Sequence, residues 1–265
     1  MYQFNYQKAG SADEAASAVT AAEDGRFLAG GMTLIPTLKQ RLAQPSDLVD
    51  LAGISDLVGI EDGGDSITIK GMTRHVDVAN SDVVQSKIPA LASLADNIGD
   101  PQVRNRGTIG GSLANNDPAA DYPAAVLGLN ATVITNTREI AAEDYFDGMF
   151  TTVLEEGELI TAVRFPVPEK AAYTKFPNPA SRYALVGVMV AQTGGDTRVA
   201  VTGAGQDGVF RAGDIESALS GNWSADAAKG VKMSDADLNS DIHASAEYRA
   251  HLISVMASRA VTAAG

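Results

Sequence analysis

The sequence predicts an α+β fold, on three observations. Strand-like and helix-like patterns are interleaved without a regular βαβ alternation. Glycine pairs punctuate the chain at tight turns rather than spreading as a linker would. The apolar fraction of 45% against 20% charged residues is that of an ordinary globular protein with a proper core. At 265 residues the chain is long for one compact domain and short for two large ones.

Taken in order, Ser11-Ala12-Asp13-Glu14 reads as a capping box opening an alanine-rich helix to about Glu23. Arg26 to Ala29 reads as a strand ending at Gly30-Gly31. Thr33 is placed to cap the next helix, with Pro36 in its first turn. Leu48 to Leu51 is a second short strand. Leu57 to Ile60 and Ser66 to Lys70 flank Asp62-Gly63-Gly64-Asp65, a hairpin signal. Helical patterns follow over Arg74 to Ala79 and Ile88 to Asn97. Gly99 to Tyr122 has no regular period and is crowded with Gly, Asn, Asp and Pro, which reads as a long functional loop.

Pro123 to Leu129 resumes a helix, and strands are expected at Ala131 to Thr135 and Leu159 to Phe165. Pro166, Pro168, Pro177 and Pro179 read as a punctuated connection and a domain boundary. Ala184 to Ala191 and Arg198 to Thr202 form a hairpin around Thr193-Gly194-Gly195-Asp196, and a helix from about Ser245 to Thr262 closes the chain.

The net charge of −13 argues against a nucleic-acid partner, whose phosphates call for a basic face, and against an anionic membrane surface. No stretch approaches the roughly 18 apolar residues of a membrane span, and no secretory leader is visible, so a cytoplasmic location is expected. There is no cysteine, which rules out thiolate-held metals and cysteine-bound iron–sulfur clusters in this chain. The three histidines, His75, His243 and His251, form no metal-binding frame. Redox chemistry would belong to an organic cofactor or to a partner.

Two segments carry the chemistry. Ala29-Gly30-Gly31-Met32-Thr33 and Thr108-Ile109-Gly110-Gly111-Ser112 each set a glycine pair beside a hydroxyl residue. Such pairs let backbone N–H groups converge in a concave nest for an anion, and two facing nests suit a pyrophosphate; tight turns are the competing explanation. Neither is a Rossmann fingerprint or a P-loop. Asp121 fits two roles, an acceptor for a ribose hydroxyl or the N-cap of the helix at Pro123. Arg104 and Arg106 are placed either to face phosphate or to pair with surface acids. His75, in a short helical pattern, is expected to lie away from both glycine loops in a surface or packing role.

The run Gly99 to Ala114, with its core Arg106-Gly107-Thr108-Ile109-Gly110-Gly111-Ser112, resembles the signature of the FAD-binding subunits of molybdenum hydroxylases. These include the medium subunit of aerobic carbon monoxide dehydrogenase and the flavin part of xanthine dehydrogenase. The blocks at Ala29 to Thr33, Gly71 to His75, Ala180 to Gly187, Asp241 to His243 and Glu247 to Arg249 resemble the same family in the right order. The resemblance implies a two-part FAD-binding domain of the PCMH type over 1–168 and a smaller α+β C-terminal domain over 169–265. It implies FAD held by Ala29, Gly30, Gly31, Met32 and Thr33 and by Thr108, Ile109, Gly110, Gly111 and Ser112, with Asp121, Lys175 and Tyr183 also at the cofactor.

The same resemblance implies an oxidoreductase subunit working with a large molybdenum-cofactor subunit and a small subunit carrying 2Fe–2S clusters, as a dimer of heterotrimers. Electrons would pass from the clusters to FAD and on to an external acceptor. A self-sufficient FAD-dependent oxidoreductase of the same fold is the alternative; a cofactor-free assembly factor would have no use for both glycine pairs.

Overall fold

The computed structural model describes residues 1–265. The chain opens with a three-stranded parallel sheet made of β1 (Asn5–Lys8), β2 (Gly25–Leu28) and β3 (Asp47–Asp50), in the order β1-β3-β2. The helices α1 (Ala12–Ala21) and α2 (Leu34–Lys39) make the crossovers that parallel strands require. Ser11 caps α1, its Oγ accepting from the Glu14 amide at 3.1 Å. Glu14 reaches back to the Gly10 amide rather than to that of Ser11, so the box closes one residue early. Ala15 and Val19 of α1 join Ala9, Leu51, Ile54 and Leu57 in a small core of their own.

A five-stranded antiparallel sheet follows: β4 (Ile60–Asp62), β5 (Ser66–Lys70), β6 (Thr132–Thr135), β7 (Glu139–Ala141) and β8 (Ile160–Pro166), ordered β4-β5-β8-β6-β7. The expected first hairpin strand begins only at Ile60, because Ser55–Leu57 winds into a 3₁₀ turn that buries Leu57. Alternation in β5 points Ile67 and Ile69 inward. Between β5 and β6 lies a block of six helices: α3 (His75–Ala79), α4 (Asp82–Lys87), α5 (Pro89–Asp96), α6 (Pro101–Arg104), α7 (Ile109–Asn115) and α8 (Tyr122–Gly128). The segment read as one long loop therefore holds α6 and α7. These helices are too short for a 3.6-residue period to show in the sequence, and Asp100 and Thr108 start them as side-chain caps. A last helical turn, α9 (Ala142–Tyr145), follows β7.

The rest of the chain builds a four-stranded antiparallel sheet, β9 (Lys170–Pro177), β10 (Ala184–Thr193), β11 (Asp196–Gly205) and β12 (Gly208–Arg211), ordered β12-β11-β10-β9. The proline-punctuated stretch is thus largely a strand: Pro166 ends β8 and Pro177 ends β9, positions where a missing N–H is tolerated. Helices α10 (Gly213–Gly221), α11 (Ala225–Gly230) and α12 (Ala246–Ala264) complete the fold.

Eight successive residues of β10, Ala184 to Ala191, are buried, because both sheet faces are covered. Met189, Ala191 and Ala200 face the core of the helical block, whereas Val188, Val190 and Val201 face Ile253, Met256 and Ala257 of α12. Each such buried aliphatic contributes on the order of 2 kcal/mol.

A short segment, Pro118 to Ala120, stitches the two halves through its carbonyls. The Ala184 amide donates to Ala119 O, and the Gly203 amide to Pro118 O at 2.8 Å. Thr202 Oγ1 reaches the carbonyls of Ala120 at 2.6 Å and Pro118 at 3.1 Å. On the far side of this seam Arg249 donates to the carbonyls of Leu185 and Gly203 and pairs with Asp241.

Candidate functional site

A cleft of about 450 Å³ runs between the parallel sheet, the helical block and the seam. That volume lies within the usual range for a small-molecule or cofactor site, roughly 300–1,000 Å³. Both glycine pairs line it, as do Asp117, Asp121 and Tyr183.

The first wall is the turn from β2 into α2. Gly31 has φ +73°, a left-handed conformation that favours glycine. A β-carbon on Gly30 would lie 2.1 Å from Arg106 O and 2.9 Å from Gly107 Cα, so the two loops touch backbone to backbone. Thr33 precedes α2 without capping it; its side chain makes no cap hydrogen bond. The amides of Gly30, Gly31, Met32 and Thr33 donate to nothing within the chain. Four consecutive unbonded N–H groups beside a cleft are a set of donors waiting for an acceptor.

The second wall is α7, and it departs from the expected open nest. Its amides are spent inside the protein: Ile109 N on Thr73 O, Gly110 N on Gly71 O, Gly111 N on Thr108 Oγ1 and Ser112 N on Thr108 O. The glycines here serve close approach instead. A β-carbon on Gly110 would sit 2.7 Å from Gly71 O, and one on Gly111 would sit 3.4 Å from the Ala29 Cβ opposite.

At the seam, Asp121 is buried and does not cap α8. Its Oδ1 accepts from Tyr173 OH at 2.5 Å and its Oδ2 from Lys175 Nζ at 2.9 Å. Lys175 also donates to Asn97 O. Burial pushes the Asp121 carboxyl up, with Lys175 and then Tyr173 pulling the other way. Lys175 does not itself line the cleft; it holds Asp121 from behind. Tyr183 stands half-exposed at the cleft edge, its phenol pushed up by burial and by the charges of Asp117 and Asp121. Asp117, its own carboxyl raised by burial, accepts from the Ala119 amide.

His75 is the largest departure from expectation. It is buried on the cleft wall beside the second loop, its amide donating to Gly107 O at 3.0 Å. Burial, then the Arg104 charge, lowers its pKa to about 4, so the ring is neutral. Arg104 is turned away from the cleft, donating to Ile98 O and pairing with Asp96. The chain brings no three His, Cys, Asp or Glu side chains together as a metal site. The cleft offers backbone donors, glycine surfaces and a few polar side chains, a set that suits a large anionic cofactor rather than a metal.

A sequence family described as the FAD binding domain in molybdopterin dehydrogenase matches residues 2–168. The chain belongs to that family. Residues 171–264 match the CO dehydrogenase flavoprotein C-terminal domain. Among relatives of this flavoprotein family, the nicotine 6-hydroxylase medium subunit of Paenarthrobacter nicotinovorans is 34% identical, over 98% of this chain and 96% of the relative. The carbon monoxide dehydrogenase medium chain of Hydrogenophaga pseudoflava is 32% identical, over 99% and 97%. Among solved structures, the Cu,Mo-CO dehydrogenase in its cyanide-inactivated form superposes with a TM-score of 0.88 at 34% identity, covering 100% of this chain and 98% of that one. Quinoline 2-oxidoreductase from Pseudomonas putida 86 does so at 0.87 and 28%, covering 99% and 96%. The chain is thus a flavoprotein subunit of the molybdenum hydroxylases, an oxidoreductase component with an FAD-binding domain. No helix is long and apolar enough to cross a membrane.

Proposed function

We propose that this chain is the FAD-binding electron-transfer subunit of a heterotrimeric molybdenum-containing hydroxylase. It receives electrons from a small 2Fe–2S subunit, while a large molybdenum-cofactor subunit oxidises the substrate, and delivers them to an external acceptor. Two such heterotrimers pair in the working enzyme. The chain divides into an FAD-binding domain over 1–168 and a C-terminal domain over 169–265. The observation that carries the reading is the row of free amides at Gly30 to Thr33, facing a closed glycine wall across a cofactor-sized cleft. Near full-length similarity to medium subunits supports it, as does the absence of cysteine for clusters in this chain.

Bound FAD would supply the exchange between one-electron and two-electron transfer. The protein's own part is binding and orientation. The Ala29 to Thr33 amides bind the pyrophosphate, and Thr108 to Ser112 bound it from the other side, the Ser112 hydroxyl being free to donate. Asp121, fixed by Lys175 and Tyr173, presents a carboxylate of set orientation at the seam, and Tyr183 covers the open edge. No side chain acts as a base on substrate.

The test is purification of the tagged chain from its host, with a visible spectrum and a partner list. Flavin and cluster absorption with two co-purifying chains is the expected result. A yellow chain alone that is bleached by substrate would establish the self-sufficient flavoenzyme instead.

A further inference from the structure

The two walls of the cleft differ in what they can donate. Gly30 to Thr33 present unbonded amides, whereas those of Ile109 to Ser112 are engaged within the chain. The His75 ring is an unspent polar group on the second wall, in addition to the Ser112 hydroxyl and the Thr108 amide. It is 4% exposed yet lines the cleft beside Gly107. Its Nε2 lies so close over Gly107 that a β-carbon there would fall 2.5 Å from it. The backbone holds the ring at this spot, through His75 N to Gly107 O and the Arg74–Thr108 bridge. The Tyr122 ring backs it with centroids 5.3 Å apart.

Nδ1 is enclosed without a partner. A neutral imidazole carries one N–H and one lone pair. An enclosed nitrogen tolerates an unused lone pair better than an orphaned N–H, which proteins almost never bury. The proton therefore sits on Nε2. Gly107, over which Nε2 lies, in turn packs against Gly30, whose β-carbon would fall 2.9 Å from Gly107 Cα. The imidazole and the first loop thus both pack against Gly107.

We propose that His75 is a cofactor-binding residue whose Nε2–H donates to a phosphate oxygen of the FAD pyrophosphate, completing from the second wall the donor set begun by Gly30 to Thr33. The assignment rests on the FAD reading above.

The test uses the full-length protein with whatever subunits accompany it, stripped of flavin and titrated with FAD, ADP and riboflavin. His75→Phe keeps an aromatic ring against Tyr122 and Gly107 but has no N–H. It should weaken FAD and ADP binding about tenfold or more, the loss of one hydrogen bond to a charged group, and leave phosphate-free riboflavin unchanged. His75→Gln, with an amide N–H, should recover part of the loss. In the wild-type chain labelled with ¹⁵N at its three histidines, ADP should shift His75 Nε2 and leave Nδ1 in place. Equal FAD affinity in wild type and His75→Phe would overturn the role of His75 and spare the flavin reading. Equal losses for FAD and riboflavin would overturn it too, by making the ring a shape-keeper. A wild type that binds neither FAD nor ADP would overturn both.

Discussion

Asp121 and Lys175 neutralise one another at 2.9 Å with side chains 4% and 7% exposed, and Tyr173 completes the carboxylate's partners. An ion pair this enclosed is worth little beyond a well-packed apolar pair, but half of it is costly. Lys175→Met should lower stability by about 3–5 kcal/mol in urea unfolding, because it leaves a buried charge unpaired. The double variant with Asp121→Asn should recover much of that. A single-variant loss below about 1 kcal/mol would mean that Tyr173 and water satisfy Asp121 unaided. His75 makes a different claim, on pH. Its folded pKa of about 4 lies below its ordinary 6.5, through burial and then Arg104. The unfolded chain therefore takes the proton first. Stability is full above pH 6.5 and falls as pH drops towards 4, by about 3 kcal/mol in all. Glu158, lowered to about 2 chiefly by Arg138, loses its contribution only below its ordinary 4.5. Asp117 and Asp121, raised by burial, act with the opposite sign in the carboxylate range. Between pH 6.5 and 5, urea midpoints should thus fall for wild type and stay level for His75→Phe.

Among the elements, the paired loops make the sharpest demand. Gly30→Ala would drive a β-carbon to 2.1 Å from Arg106 O, and neither backbone can give way cheaply. Flavin retained on purification should drop at least about tenfold as the walls part. Gly221→Ala in α10 meets nothing within 4 Å and should stabilise by about 0.5–1 kcal/mol without touching flavin content. Elements with a clear local pattern were legible in the sequence: α1 through its Ser11 cap, β5 through alternation, β10 through its apolar run. So were both glycine loops as facing segments. The helices α6 and α7 were not, because they span only four and seven residues within a stretch crowded with Gly, Asn, Asp and Pro. β9 was hidden by the prolines at its margins. The partners of Asp121 lie 52 and 54 residues away in sequence, so no local spacing shows that its carboxylate is already taken. His75 was misplaced for the same reason: its contact with Gly107 is a product of packing.

For the whole molecule, the seam decides whether two domains behave as two. Ala119, Pro118 and Ala120 give their carbonyls to β10 and β11, and residues of the second sheet complete the core of the helical block. The cleft is lined from both halves, by Gly30 and Thr108 on one side and Ser181 to Tyr183 on the other. Calorimetry of the full chain should therefore show one transition, raised by roughly 5 °C when FAD is present at a hundred times its dissociation constant. Two separate transitions, with only the first moved by FAD, would mean that the seam carries no cooperativity.

The contrast between the loops bears on how each tolerates mutation. The donors offered by Gly30 to Thr33 are main-chain N–H groups, which every residue type but proline possesses, so the side chain of Met32 can change without silencing a donor. Across the cleft the amides of Ile109 to Ser112 are already committed, and beyond Thr108 a donor must come from a particular side chain. Outside its two glycines, which close packing and a left-handed φ fix, the first wall is indifferent to the side chain a codon specifies. The other can lose its grip in a single codon change.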